Sequence, residues 1–283
     1  MQILDLSHNE LGSETPRLIK CVIPTLISLN LSHTQFGSKG AFLLAQELKI
    51  AHKKNKRHYL RALDLSNNLI DSSGFLKLMS RLKKSTALYT LNFSYNDFSE
   101  EQEKFINVEK FLSRNESCLN LYLNGCRLKS PAMAYVGLGL SKNRTLEKLS
   151  LIENNFVDKE CITYLVKGLI ENVADSHLVE LDLQKNRLSS ALIEPLSDLF
   201  LENVKIRSLN LKNNMITDEG AQVLLQTIGN NKFICKVNME MNPIRQQLLI
   251  DIQKYTAENQ TKVTQQEVPQ MIKEVVEIKK EMA

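Results

Sequence analysis

The stretch Leu60-Arg-Ala-Leu63-Asp-Leu65-Ser-Asn-Asn68-Leu-Ile70 puts apolar residues at positions 1, 4, 6 and 11 of a short unit and asparagine at position 9. The alternation about Leu63 and Leu65 predicts a strand that sends its leucines to one face and Ala62, Asp64 and Ser66 to the other. Asn68 follows that strand, where an amide with two donors and an acceptor can satisfy the backbone as the chain turns. One such unit decides little, but this one recurs. Met1, Leu4, Leu6, Asn9 and Leu11 form the first copy, and Leu26, Leu29, Leu31, Thr34 and Phe36 the second. Further copies open at Leu88, Cys118, Leu146, Leu178, Ile206 and Ile234, so nine are present. Seven carry asparagine at position 9, with Thr34 and Cys126 in its place twice.

The period sets the architecture. Steps of 28 residues separate Leu63 from Leu91, Leu121 from Leu149, Leu181 from Leu209 and Leu209 from Val237. Each step leaves room for a strand, a turn and a helix of three to four turns. The segments Ser38–Leu48 and Thr217–Ile228 show apolar residues at helical spacing, each opening with a residue suited to capping. Strands stack ~4.8 Å apart whereas packed helices need ~8–10 Å, so strands on one side and helices on the other bend the stack. The expected fold is an α/β horseshoe solenoid with a concave parallel sheet and convex helices over residues 1–245, followed at 246–283 by a helical cap and an amphipathic tail. The repeated L-x-x-L-x-L-x-x-N-x-L/I/F, with Asp71-Ser-Ser-Gly-Phe75 and Asp218-Glu-Gly-Ala221 after it, resembles the ribonuclease-inhibitor-like class of leucine-rich repeats.

Departures from the period locate insertions. Leu4 to Leu29 is only 25 residues, and Pro16 and Pro24 predict a broken convex helix there. Leu29 to Leu63 is 34 residues, the surplus lying in the basic segment Lys49–Tyr59, and Leu149 to Leu181 is 32, the surplus lying near Glu171–Ser176. Solenoid insertions project from an edge and leave the core intact. Beyond Ile244, Gln246–Tyr255 predicts a helix whose Leu248, Leu249, Ile252 and Tyr255 cover the last repeat. Met1 falls inside a strand, so the first repeat is expected to meet a partner or a preceding part of a longer chain.

Composition narrows the function. The net charge of +4 is modest for 283 residues, which gives no ground for a nucleic-acid partner. No run nears the ~18 apolar residues of a membrane span, and the N-terminus has no signal-peptide pattern. Five scattered cysteines suit a reduced intracellular compartment, with a metal or disulfide role for Cys118 and Cys126, eight apart, the lesser reading. No phosphate loop, metal-ligand spacing or nucleophile elbow is present, and no cofactor is expected. His8 and His33 share one repeat position, which allows them to stack as neighbours at the concave rim, as solvated turn residues rather than a metal pair. Asp5, Asp64 and Asp182 fall in one column separated by Asn, Tyr and Ser, so no close carboxylate pair suited to acid–base catalysis is expected.

What remains is a binding surface. Strand residues flanking the leucines face the concave side, and Asp5, Ser7, Asn30, Ser32, Asp64, Ser66, Asn92, Ser94 and Tyr122 are the expected partner-binding face, with Ser28, Ala62 and Thr90 between them. The basic segment around Lys53, Lys54, Lys56 and Arg57 is expected to meet an acidic protein surface such as a tubulin tail. A third candidate is the stripe Met271, Val275, Ile278 and Met282 in the tail. The expected function is a non-catalytic protein–protein interaction scaffold, with no membrane, specific nucleic acid or small-molecule substrate. The resemblance allows several roles, and by analogy of size, repeat subtype and Lys/Asn/Ile-rich composition the expected one is in an intracellular assembly, cytoskeletal or axonemal, as for leucine-rich-repeat subunits of the nexin–dynein regulatory complex. The rival is a Ran-type GTPase activator. That family has a strongly acidic tail, whereas this tail alternates Lys and Glu, and no catalytic residue matches.

The tail stripe gives a direct test. Val268, Met271, Val275, Ile278 and Met282 recur at steps of three and four, the spacing of a coiled-coil seam, in a helix too short to be stable alone. Folding back on the repeats and docking on a partner helix both fit this pattern. If docking is correct, Val275→Asp with Ile278→Asp releases the partner and leaves the thermal midpoint of the repeats unchanged. A lowered midpoint shows instead that the tail is a cap.

Overall fold

The computed structural model describes residues 2–53, 59–172, 174–202 and 205–261, with side chains except at 49–53 and 202. Nine three-residue strands appear in chain order: β1 (Ile3–Asp5), β2 (Ser28–Asn30), β3 (Ala62–Asp64), β4 (Thr90–Asn92), β5 (Asn120–Tyr122), β6 (Lys148–Ser150), β7 (Glu180–Asp182), β8 (Ser208–Asn210) and β9 (Lys236–Asn238). They form one sheet in that order, every neighbouring pair parallel. The register is the repeat register, with Leu4 beside Leu29, then Leu63, Leu91, Leu121, Leu149, Leu181, Leu209 and Val237. The convex side carries α1 (Thr15–Leu18), α2 (Gly37–Lys53), α3 (Ser72–Leu82), α4 (Ile106–Leu112), α5 (Ser130–Leu140), α6 (Lys159–Glu171), α7 (Ile193–Glu202) and α8 (Asp218–Asn230). The expected α/β horseshoe solenoid is therefore present. The first convex helix is reduced to four residues, Thr15–Leu18, with Pro16 in its first turn and a 3-10 turn at Ile23–Thr25.

Positions 4, 6 and 11 line the core from the second repeat to the eighth, with Leu149, Leu151 and Phe156 at 0% exposure. The expectation that they are buried in every copy is corrected at the ends. Leu4, Leu6 and Leu11 are half-buried because β1 has a neighbour on one side only, and Ile244 is half-buried after the last strand. Next to the last repeat a helix runs over 246–261, six residues beyond the expected Tyr255. Ile252 is buried there and Leu248 and Leu249 pack on the core, but Tyr255 is exposed and Thr256 and Asn259 are buried. The Asn259 amide donates to the carbonyls of Asn231 and Ile234, so this helix is joined to the last repeat by hydrogen bonds as well as by apolar contact.

Position 9 ties the repeats together. Asn154 Oδ1 accepts the backbone N–H of Cys126 and Leu128 in the preceding repeat, both at 3.1 Å, and its amide donates to the carbonyls of Leu123 (2.8 Å) and Leu151 (3.0 Å). Asn68, Asn96 and Asn214 repeat this pattern. At Cys126 the thiol is only a weak donor, to the carbonyls of Phe93 and Asn124, and the N–H of Phe98 turns to the Cys126 carbonyl instead. Buried Gln102 compensates, bridging the carbonyls of Phe98 and Arg127 and accepting from the N–H of Lys129. A second series, three residues before position 1, escapes the sequence reading. Asn115, Asn143 and Asn231 each donate to a carbonyl at the end of the preceding helix and accept two N–H groups of their own turn.

Packing varies where the helices do. α4 is short, and the space beside it holds Phe75, Phe93, Phe98 and Phe105, with Phe75 stacked on Phe98 at 4.1 Å between centroids. α5 and α6 approach until a Cβ on Gly137 would collide with the Tyr164 carbonyl and one on Gly168 with the Gly137 carbonyl. One expected cap is corrected. Thr217 makes no side-chain cap bond to α8; it bonds Ser190 of the preceding repeat. Ser38 likewise serves a neighbour, accepting the N–H of Asp71, which itself caps α3 through Gly74. In the basic insertion, α2 extends as far as Lys53. Lys54, Lys56, Arg57, Met271, Val275, Ile278 and Met282 lie outside the described residues.

Two substitutions separate burial from the asparagine bonds. Leu149→Ala is expected to cost about 2–5 kcal/mol through lost burial and a cavity. Asn154→Ala keeps the apolar core but strands two N–H groups and two carbonyls, and is expected to cost at least about 3 kcal/mol. Urea unfolding checks both, and an Asn154→Ala midpoint equal to the parent's would refute the role given to the ladder.

The concave face as candidate functional site

Each strand presents positions 3, 5 and 7 to the concave side, and the structure gives these columns unequal parts. Position 5 is mainly a backbone device. Asp5 Oδ1 accepts the N–H of Ser7, and Asn30, Asp64, Asn92, Asp182, Asn210 and Asn238 each accept the N–H two residues on, at 2.9–3.1 Å. Adjacent members also bond across strands. The amides of Asn30, Asn92 and Asn210 donate to Asp5, Asp64 and Asp182 respectively. The Ser7 bonds, aided by Asn30, hold the Asp5 carboxyl below its usual range. The aspartates of this column are thus separated by amides and bonded to their own backbone, with no two of them on adjacent strands, which suits binding rather than a close-pair proton exchange.

Position 7 changes the expected contact surface. Ser32, Ser66 and Ser94 are buried, at 8%, 7% and 4% exposure, because neighbouring strands and turns close over their short side chains. They are corrected from partner contacts to supports of the sheet. Ser66, for instance, donates to Asp64 Oδ1 at 2.7 Å. Ser7, on the open first repeat, stays half-buried. The reachable face brings Asn30, Asp64, Asn92 and Tyr122 together around one depression, with Ser28, Ala62 and Thr90 completing it. Asp5 lies one strand further out, beside Asn30.

The second half of the face is charged and internally paired. Lys148 binds Glu180 across β6 and β7, and Lys212 binds Glu240, both at 2.8 Å. The Glu180 contact raises the Lys148 ammonium's affinity for its proton, and Lys212 holds the Glu240 carboxyl low. Such exposed pairs contribute little stability, but they leave few free charges.

At the C-terminal rim, position 8 is left-handed in all nine repeats, including non-glycine residues such as His8, Asn67, Tyr95, Lys185 and Met241. His8 and His33 do stack there, with ring centroids 4.4 Å apart. Further along, a Cβ on Gly125 would lie 2.5 Å from Tyr95 Cδ1, so glycine leaves room for that ring. Burial, followed by the Glu153 carboxylate, pushes the Tyr95 phenol up. Sequence reasoning placed His8 and His33 in this column but missed the packing of Tyr95, whose one signal is the glycine that follows it by one repeat.

Among the described residues no group of three potential metal ligands is found, and no helix is long and apolar enough to cross a membrane. Cys118 and Cys126 are unpaired and buried, and burial pushes both thiols up to about 12. They are core residues rather than nucleophiles.

Comparison with known proteins agrees with this geometry. A family model described as "Leucine Rich repeat" matches residues 1–14, 22–45, 56–79 and 202–225. Mouse ribonuclease inhibitor is 26% identical over 204 residues, covering 72% of this chain and 43% of the inhibitor. The chain carries leucine-rich repeats and is similar to proteins of the ribonuclease-inhibitor-like class. Human NACHT, LRR and PYD domains-containing protein 5 is 28% identical over 205 residues, which are 72% of this chain and 16% of that protein. The chain thus spans less than half the length of these relatives. Among solved structures, the yeast Rad7 and Elc1 complex contains a chain of the same fold, with a TM-score of 0.52 and 18% identity over 90% of this chain and 67% of that one.

The rim yields a titration test. Gly125→Asn keeps a residue that tolerates the left-handed turn, as Asn67 and Asn213 do, but displaces the Tyr95 ring. The Tyr95 phenol should then ionise at lower pH, nearer its ordinary value. Ultraviolet pH titration, with Tyr95→Phe as the reference for that one ring, measures the shift. An unaltered curve would refute the packing.

Proposed function

We propose that this chain is a non-catalytic scaffold that holds a protein partner on its concave sheet, as a subunit of a larger intracellular assembly of the cytoskeletal or axonemal kind. The observation that carries the reading is the face itself. Over β2–β4 its accessible side chains are short and mostly polar, so a partner's backbone can approach closely. Its carboxylates are tied to the protein's own amides, which favours recognition over chemistry. The family likeness supports the same reading, since solenoids of this build expose extended concave surfaces. Assignment to a cytoskeletal or axonemal assembly rests on size and repeat subtype, and a cytoplasmic location goes with it.

The test compares the tagged full chain with the triple variant Ser28→Arg, Ala62→Arg, Thr90→Arg in co-purification from native tissue. These positions are half-exposed on the sheet surface, away from the leucine core. The expected result is loss of specific partners at an unchanged thermal midpoint. Retention of the same partners would overturn the concave reading, and stimulation of GTP hydrolysis by a small GTPase would overturn the non-catalytic one.

A further inference from the structure

The concave charge is distributed unevenly. At positions 3, 5 and 7 of the first five strands the only charged side chains are Asp5 and Asp64, with no cation, a net −2. The last four strands carry three cations and three anions there, Lys148, Lys212 and Lys236 against Glu180, Asp182 and Glu240, a net of zero. The anionic half lies on a chain whose total charge is +4, so local placement and not composition creates it.

Within that half is a depression of ≈320 Å³ across β2–β5, at the small end of the ~300–1,000 Å³ of ligand pockets. Asp64 is its only acidic lining residue and no basic residue lines it, while Tyr122 lines it from β5. Asp64 Oδ1 is occupied by the N–H and hydroxyl of Ser66, while Oδ2 accepts the Asn92 amide at 2.9 Å. A carboxylate oxygen has two lone-pair sites, so Oδ2 retains capacity for one more donor. The Tyr122 ring already attracts a cation, Lys148 Nζ lying 5.9 Å from its centroid. That ammonium is committed to Glu180 on the far side from β4 and does not neutralise Asp64.

We propose that this depression is a subsite for an arginine side chain of the protein held on the concave face, an inference that rests on reading that face as the partner surface. A guanidinium carries five donors and a planar π-face. One N–H reaches Asp64 Oδ2, others meet the hydroxyls of Ser28 and Thr90, and the plane lies against Tyr122. The partner segment is therefore basic, and its arginine enters the sheet between two strand rows that have no large side chain to obstruct it.

The test titrates the isotope-labelled full chain with N-acetyl-arginine-N′-methylamide and, separately, with its neutral citrulline counterpart, following amide shifts at Asp64, Asn92 and Tyr122. The arginine probe is expected to saturate in the millimolar range, and citrulline to bind roughly tenfold or more weakly, since it lacks the charge. Asp64→Asn should lose the preference for arginine and remain folded. Asn30 and Asn92 already perform the Asp64 Oδ1 role, and Asn210 beside Asn238 shows that two asparagines can be neighbours in this column. Equal binding of both probes, or no saturable shift with arginine, would overturn the subsite. If the concave triple variant loses its partners while Asp64→Asn retains all of them at full strength, the subsite falls and the concave interface stands. If neither variant loses partners yet the probe still prefers arginine, the depression's preference for a guanidinium stands, but the interface falls and the partner arginine falls with it.

Discussion

The carboxamide of the position-9 asparagine is the interaction on which the stack depends. Left-handed residues before it, and in several repeats after it, turn backbone N–H groups out of their own repeat. The next repeat's asparagine satisfies them wherever it is present, and at Cys126 a backbone carbonyl and Gln102 take over, because a buried N–H without a partner is costly. Every inner repeat is therefore completed by its successor. This makes the solenoid cooperative along its axis, and it explains why a residue such as Asn186 is fully buried while Asn9, in the half-open first repeat, is exposed.

Curvature follows from unequal spacing on the two sides. The sheet fixes the repeats at strand separation, and the convex side must hold helices of 4 to 17 residues. Local sequence absorbs the mismatch. Glycines let α5 and α6 approach, four phenylalanines fill the space beside the short α4, and Gln102 stitches the repeat that lacks an asparagine. None of these devices alters the register of the strands, so the concave columns stay aligned across all nine repeats.

Alignment gives the face its properties. Short side chains recur in columns, the aspartates bind their own backbone, and opposite charges pair between adjacent strands in the later repeats. The result is a surface whose charge is mostly used internally, with the anionic region around Asp5 and Asp64 left free of nearby concave cations. A surface of this kind discriminates partners by electrostatic fit more than by apolar burial.

The sequence by itself determined the period, the strand register, the identity of the core leucines and the column of concave residues, because these depend on residues within one unit and on alternation along a strand. The stacked His8 and His33 were legible for the same reason. Only the tertiary structure decided what lies between repeats. Ser32, Ser66 and Ser94 belong to the concave column but are covered by neighbours. Thr217 looks like a cap and instead bonds the preceding repeat, and Asn115, Asn143 and Asn231 serve carbonyls roughly thirty residues away. Leu4 and Leu6 match Leu29 and Leu31 in pattern yet differ in burial, since burial is set by a neighbour that the local pattern does not contain. Alternation fixes the direction of a side chain; how much of it remains exposed is fixed by what stacks beside it.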